Sequence, residues 1–195
     1  MNRLWTFPAA LCFALGVAAG VAAQTPPPAA APQSTGLADG LKRAWAGVKR
    51  NVTETADKMP EANYGFKPTP EVRSFSELLG HITDGNLAYC SRAKGEAAPK
   101  SEAEKITAKA DAIKALNDSF AACDAVFSTL TDEALLEKVK SGQNETARGV
   151  YISGVIAHVN EHYGNLVTYM RLKGLVPPST ERAQKAAPPK KPSQN

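Results

Sequence analysis

The chain is poor in the residues that most often carry chemistry: of 195 positions, only three are cysteine, three histidine, three methionine and two tryptophan. So few cysteines exclude a disulfide-dense miniprotein. No Gly-rich phosphate loop, no GxSxG and no CxxCH occurs, so nucleotide-loop, serine-hydrolase and covalent c-type haem readings lack their motifs. Period-two alternation does not persist over any long run, and two-residue β-hairpin signals are missing. Apolar runs of near-membrane length are confined to the N-terminus. Excess charge is also missing where it would matter. The formal charge is +4, but Arg3 supplies one unit and residues 181–195 supply three (Arg182, Lys185, Lys190 and Lys191 against Glu181), leaving none for residues 24–180. The globular part therefore has no electrostatic footprint for nucleic acid.

The ends of the chain read differently from its middle. Arg3, the apolar run Leu4 to Val21 and the small residues Val21-Ala22-Ala23 form a secretory signal over residues 1–23. The run is rich in alanine and glycine and weak as a permanent span, so no stable membrane anchor is expected after cleavage. A periplasmic or secreted protein follows. Residues 24–35 form a Pro/Ala linker, and residues 176–195 form a Pro/Lys-rich tail expected to be disordered. The folded domain is expected over residues 36–175, long enough for a hydrophobic core.

Within that domain four helical patterns recur. The first runs from about Gly36 to Lys58, with Leu37, Leu41, Trp45, Val48 and Val52 on one face. The second runs from about Phe75 to Ala93 and opens on the capping box Ser74-Phe-Ser-Glu77. The third is expected from about Glu102 to Leu130, opening on a second box, Ser101-Glu-Ala-Glu104. The fourth runs from about Arg148 to Lys173, with Gly174 placed as a left-handed cap. Residues 131–147 read as a short extended or irregular connection. The fold class is all-α, a four-helix bundle.

All three histidines fall on these helices. His158 and His162 are four apart on the fourth, so both side chains project from one face one turn apart. That is the spacing by which a helix offers two imidazoles to one metal ion. His81 lies on the second helix, beside Leu78 and Ile82 at the edge of the apolar stripe. Three neutral imidazoles suit zinc, nickel, iron(II) or copper(II), and three protein ligands leave an open position. Asp84, Glu161 and Asn165 are candidates to hold the imidazoles' other nitrogens. Tyr151, Tyr163, Tyr169 and Trp45 could line a pocket, although ordinary core packing explains them as well.

The segments LLGHITDGN (78–86), FAACD (120–124) and HVNEHYGNLVTYMRLKGLVPPS (158–179) resemble the DinB family of four-helix-bundle proteins, and closest a secreted subgroup of it. The resemblance covers about residues 36–179. It implies a bundle of up-down-down-up topology. It also implies a divalent metal held by one histidine of the second helix and an HxxxH of the fourth, positions that match His81, His158 and His162. Some relatives are thiol-dependent transferases or isomerases, whose small thiol cofactors are chiefly cytoplasmic. A homodimer is suggested by the resemblance alone.

Cys90 and Cys123 are the two cysteines left once residues 1–23 are removed. An even pair in an exported protein suggests a disulfide. In a tight antiparallel hairpin of the second and third helices the two would sit at different heights, and buried thiols would remain. The parallel arrangement that the resemblance implies sets them level and allows a Cys90–Cys123 bond. Three functions remain open on these residues. The first is a metal-dependent hydrolase or transferase acting on a small molecule, the second a non-catalytic metal-binding module, and the third a dimeric interaction module.

Overall fold

The structure is a computed structural model, and it describes residues 36–187. The expected signal at 1–23, the expected linker at 24–35 and the last residues of the expected tail lie outside the described residues. Four long helices form the frame: α1 (Leu37–Lys58), α2 (Phe75–Lys94), α3 (Lys109–Ser128) and, after three small elements, α5 (Arg148–Leu172). The small elements are a one-turn helix α4 (Asp132–Leu136) and the strands β1 (Lys138–Ser141) and β2 (Asn144–Ala147). A further helix, α6 (Pro178–Ala186), follows α5.

The caps explain several of these boundaries. Ser74 and Glu77 form the expected reciprocal capping box at the start of α2. At its end Gly95 takes φ 79°, and Glu96 N–H reaches back to Ser91 O, a left-handed cap that returns orphan carbonyls to hydrogen bonding. Gly174 does the same for α5 at φ 71°, with Leu175 N–H donating to Met170 O.

Side-chain pairs fix the directions of the helices. Asn86 Nδ2 donates to Ser119 Oγ at 3.0 Å, and Cys90 is disulfide-bonded to Cys123 with Cα atoms 5.4 Å apart. One turn forward on α2 thus meets one turn forward on α3, so these two helices run parallel. Trp45 Nε1 donates to Asp124 Oδ1 at 2.8 Å, whereas Lys109 Nζ reaches the Asp57 and Met59 carbonyls. Hence α1 and α3 run antiparallel. The core between them is aromatic: Trp45 stacks on Phe127 at 4.7 Å and meets Phe120 at 5.3 Å. On the other side, α5 crosses α2 antiparallel. His158 lies beside His81 and Gly85, and Gly154 beside Tyr89.

Three segments depart from the sequence expectations. Helix α3 begins at Lys109, not near Glu102. The Ser101–Glu104 segment is not a helix-opening box: Ser101 donates to Asp84, and Ala103–Lys105 form a single 3-10 turn against α2. The connection after α4 is an antiparallel hairpin pairing Lys138 with Ala147 through Ser141 with Asn144. Its turn carries Gly142 at φ 63° and then Gln143; no described non-glycine residue has positive φ, so the turn follows the Gly-X pattern. Finally, residues 178–186 are not an unpacked tail. Helix α6 is held by Lys58–Glu181 at 2.5 Å, by Tyr163 Oη donating to Ser179 Oγ at 2.5 Å, and by Arg182 on Glu54 and Asn51. Among the described residues no helix is long and apolar enough to cross a membrane.

Candidate metal centre

His81, His158 and His162 converge where α2 crosses α5. Each offers one ring nitrogen, and the three nitrogens lie within 4.8 Å of one another. His158 Nε2 stands 3.3 Å from His81 Nε2. Two nitrogens each about 2.1 Å from one ion at a tetrahedral angle would stand about 3.4 Å apart. For this pair the observed separation matches that of two ligands of one ion. The three ring centroids are 4.5–5.1 Å apart.

Two glycines make this convergence possible. A Cβ at Gly85 would stand 2.2 Å from His158 Cε1 and 2.6 Å from its Nδ1, so only glycine lets the ring lie against α2. A Cβ at Gly80 would stand 2.3 Å from the Ala103 carbonyl oxygen. That contact brings the 3-10 turn onto α2, one residue before His81, and sets Glu104 beside the imidazole.

Glu104 is the acidic partner that the sequence reading missed. Its Oε1 lies 2.7 Å from His81 Nδ1. Arg73 grips the same carboxylate, through Nε at 3.2 Å and Nη2 at 3.4 Å. Burial alone would raise the Glu104 carboxyl, but hydrogen bonds from His81 and Arg73 outweigh it and hold the group below the usual carboxylate range. An ionised carboxylate can only accept, so His81 Nδ1 carries the proton and its Nε2 presents a lone pair to the other imidazoles.

Of the residues expected to hold the imidazoles, Asp84 instead accepts from Ser101, and the partner of His81 is Glu104. Glu161 and Asn165 line the cleft beside His162, and the Asn165 side chain hydrogen-bonds that imidazole as expected. His158 Nδ1 and His162 Nδ1 are buried without a hydrogen-bond partner, an arrangement that costs free energy in a closed protein. Burial, reinforced by the neighbouring His162 and His81, pushes His158 down to about 4, so it is a neutral ligand at neutral pH. Burial and His81 push His162 down as well. A neutral ring is the metal-binding form, and the donor set thus fits a divalent ion.

His162 opens onto a cleft of about 680 Å3, walled on one side by the 67–73 segment with Lys67 and Arg73, and on the other by Asn165 and Tyr169 of α5. Tyr169 Oη donates to the Arg73 carbonyl at 2.7 Å, tying that wall to α5. The other aromatics do not line it: Trp45 belongs to the core, and Tyr163 packs toward α6.

A bundle whose second and last long helices bring one histidine and an i, i+4 pair to a single point defines a class of metal-site helical proteins. The model of the DinB superfamily matches residues 44–166, and the chain belongs to that superfamily. Solved structures share the fold at low identity. A DinB-like protein from Bacillus cereus superposes with a TM-score of 0.62 at 17% identity, covering 72% of this chain and 95% of that one. A DinB-like protein from Bacillus subtilis gives 0.58 at 21% identity, covering 69% and 92%. A mycothiol-dependent maleylpyruvate isomerase gives 0.53 at 15% identity, covering 66% of this chain and 60% of its own. No curated protein matches the sequence.

Proposed function

We propose that the protein holds one divalent metal ion, zinc, nickel or iron, through His81, His158 and His162, and uses it on a small molecule by hydrolysis or group transfer. The observation that carries this reading is the approach of three ring nitrogens to within 4.8 Å beside an open cleft. A bound ion would supply Lewis acidity and acidify a water or substrate group in the position the protein leaves free. The chain's own residues have defined parts. His158 and His162 stay neutral donors because burial disfavours their protonation. Lys67, Arg73, Asn165 and Tyr169 offer the cleft's polar surface to a small ligand.

The leader motif at residues 1–23 supports a site of action in the periplasm or outside the cell. A mycothiol-dependent maleylpyruvate isomerase among the structural neighbours supports chemistry on a small molecule for this fold. The neutral globular charge argues against nucleic acid as a partner, and a homodimer is part of the proposal on family grounds.

The test loads the protein lacking residues 1–23 with zinc, nickel or iron(II) and screens small esters, amides and thiol adducts. Turnover that depends on the ion and disappears in His158→Ala supports catalysis. Stoichiometric ion binding with no turnover on any substrate class would leave a metal-binding module instead.

A further inference from the structure

Three facts meet at Glu104. It lies on a short turn, outside every long helix, yet it is pinned from both sides: by His81 Nδ1 at 2.7 Å and by Arg73. The turn that carries it is seated on α2 by the Gly80–Ala103 contact, where a side chain on residue 80 would collide with backbone. Ala103 itself is 5% exposed, so the turn is part of the packed molecule and holds a fixed position. His158 Nδ1 and His162 Nδ1 have no comparable partner. Of the three imidazoles, His81 is thus the one held by a carboxylate.

We propose that Glu104, anchored by Arg73, is the positioning residue of the metal centre: it holds His81 as the Nδ1–H tautomer and aims Nε2 at the ion. This rests on the three-histidine reading and deepens it. A ring held by one carboxylate acceptor has its tautomer and rotation fixed together, and its ligating nitrogen becomes more basic. Arg73 has the second task of keeping the carboxylate turned toward the ring, because its guanidinium meets the same carboxylate along its own fork. Arg73 also belongs to the cleft wall, through its carbonyl and Tyr169. The His81–Glu104–Arg73 chain therefore ties a metal ligand to the surface that a substrate would touch.

Carboxylate–histidine contacts of this kind typically cost 10–100-fold in metal affinity when removed. Cobalt(II) would be titrated into the metal-free protein lacking residues 1–23, as wild type, Glu104→Ala, Glu104→Gln and Glu102→Gln. Glu102 sits on the same turn but pairs outward with Lys105, and serves as the control.

Cobalt(II) affinity is expected to fall about 10–100-fold in Glu104→Ala and less in Glu104→Gln, whose amide oxygen can still accept. The d–d absorption would change in both, and Glu102→Gln would match wild type. Independently of any metal, nitrogen-15 long-range NMR of the metal-free protein would show His81 as the Nδ1–H tautomer in wild type and a mixture with Nε2–H in Glu104→Ala. Wild-type affinity, an unchanged d–d spectrum and an unchanged His81 tautomer in both Glu104 variants would overturn the proposal. Should Glu104→Ala fail to fold, Glu104→Gln preserves the side-chain volume and decides the matter by cobalt affinity and the d–d spectrum, wild-type values of both overturning the proposal. Failure of wild type itself to bind cobalt would instead sink the three-histidine reading, with the tautomer measurement still deciding the part played by Glu104.

Discussion

His158 Nε2 lies 3.3 Å from His81 Nε2, although the two residues are 77 positions apart. Nothing local to either helix produces that approach. It depends on the antiparallel crossing of α2 and α5, and on Gly85, which leaves room for the His158 ring. The separation is what two ligands of one tetrahedral ion require.

Glycine inside a helix usually costs about 1 kcal/mol against alanine. Gly85 and Gly47 should therefore answer oppositely to the same substitution. A Cβ at Gly47 meets nothing within 4 Å, so Gly47→Ala should raise stability by up to about 1 kcal/mol, seen as a higher urea midpoint, with metal binding unchanged. At Gly85 the new Cβ would occupy the place of the His158 ring. Gly85→Ala should keep its helical circular dichroism yet bind zinc at least about tenfold more weakly, since a displaced ligand costs about as much as a lost orienting partner.

Acid should weaken the metal-free protein through His158. Its native pKa, near 4, lies below the value of about 6.5 expected in the unfolded chain. Between those values the unfolded state binds the extra proton, so stability rises with pH across that window and is lost as pH falls through it. Urea midpoints of the metal-free protein should drop from pH 7 to pH 4.5. The drop should be smaller in His158→Gln, which has no proton to take up there. Equal drops in the two proteins would mean that His158 is not buried as described.

The Cys90–Cys123 bond closes a loop of sequence separation 33, which the chain-entropy relation converts to about 4 kcal/mol of stability. The denatured protein lacking residues 1–23 should show almost no free thiol without reductant and two with it. The Cys90→Ala/Cys123→Ala double variant should unfold at a clearly lower urea concentration. Equal thiol titration with and without reductant would remove the bond from the account.

Much of this was legible in the sequence, for physical reasons that can be named. The apolar spacing of α1, α2 and α5 and the Ser74–Glu77 box read correctly because a long amphipathic period and a reciprocal cap are local features. His158 and His162 were visible as a pair because a helix fixes the spacing of i and i+4. What failed depended on tertiary contact. Ser101–Glu104 has the letters of a capping box, but Glu104 is drawn to His81 and Arg73, and the helix starts later.

Asp84, three residues from His81, was the nearer acid in sequence and turned to Ser101. The hairpin at 138–147 hid because its turn is Gly-Gln, a pattern weaker than Asn-Gly. Helix α6 hid behind a Pro/Lys composition that reads as solvated, while Arg182 and Glu181 find partners on α1. One signal could have exposed part of the site: glycines at 80 and 85 flank His81 within a single helix, where each needs a close neighbour to justify it.

If His81, His158 and His162 hold one ion, the purified protein carries it, and metal content reads it out. The protein lacking residues 1–23 would be produced without a polyhistidine tag, exported to the periplasm, and weighed by elemental mass spectrometry beside the His81→Ala/His158→Ala/His162→Ala variant. About one divalent ion per chain is expected in the first and none in the second. No ion in either, even after dialysis against zinc, nickel and iron(II), or an equal load in both, would contradict it.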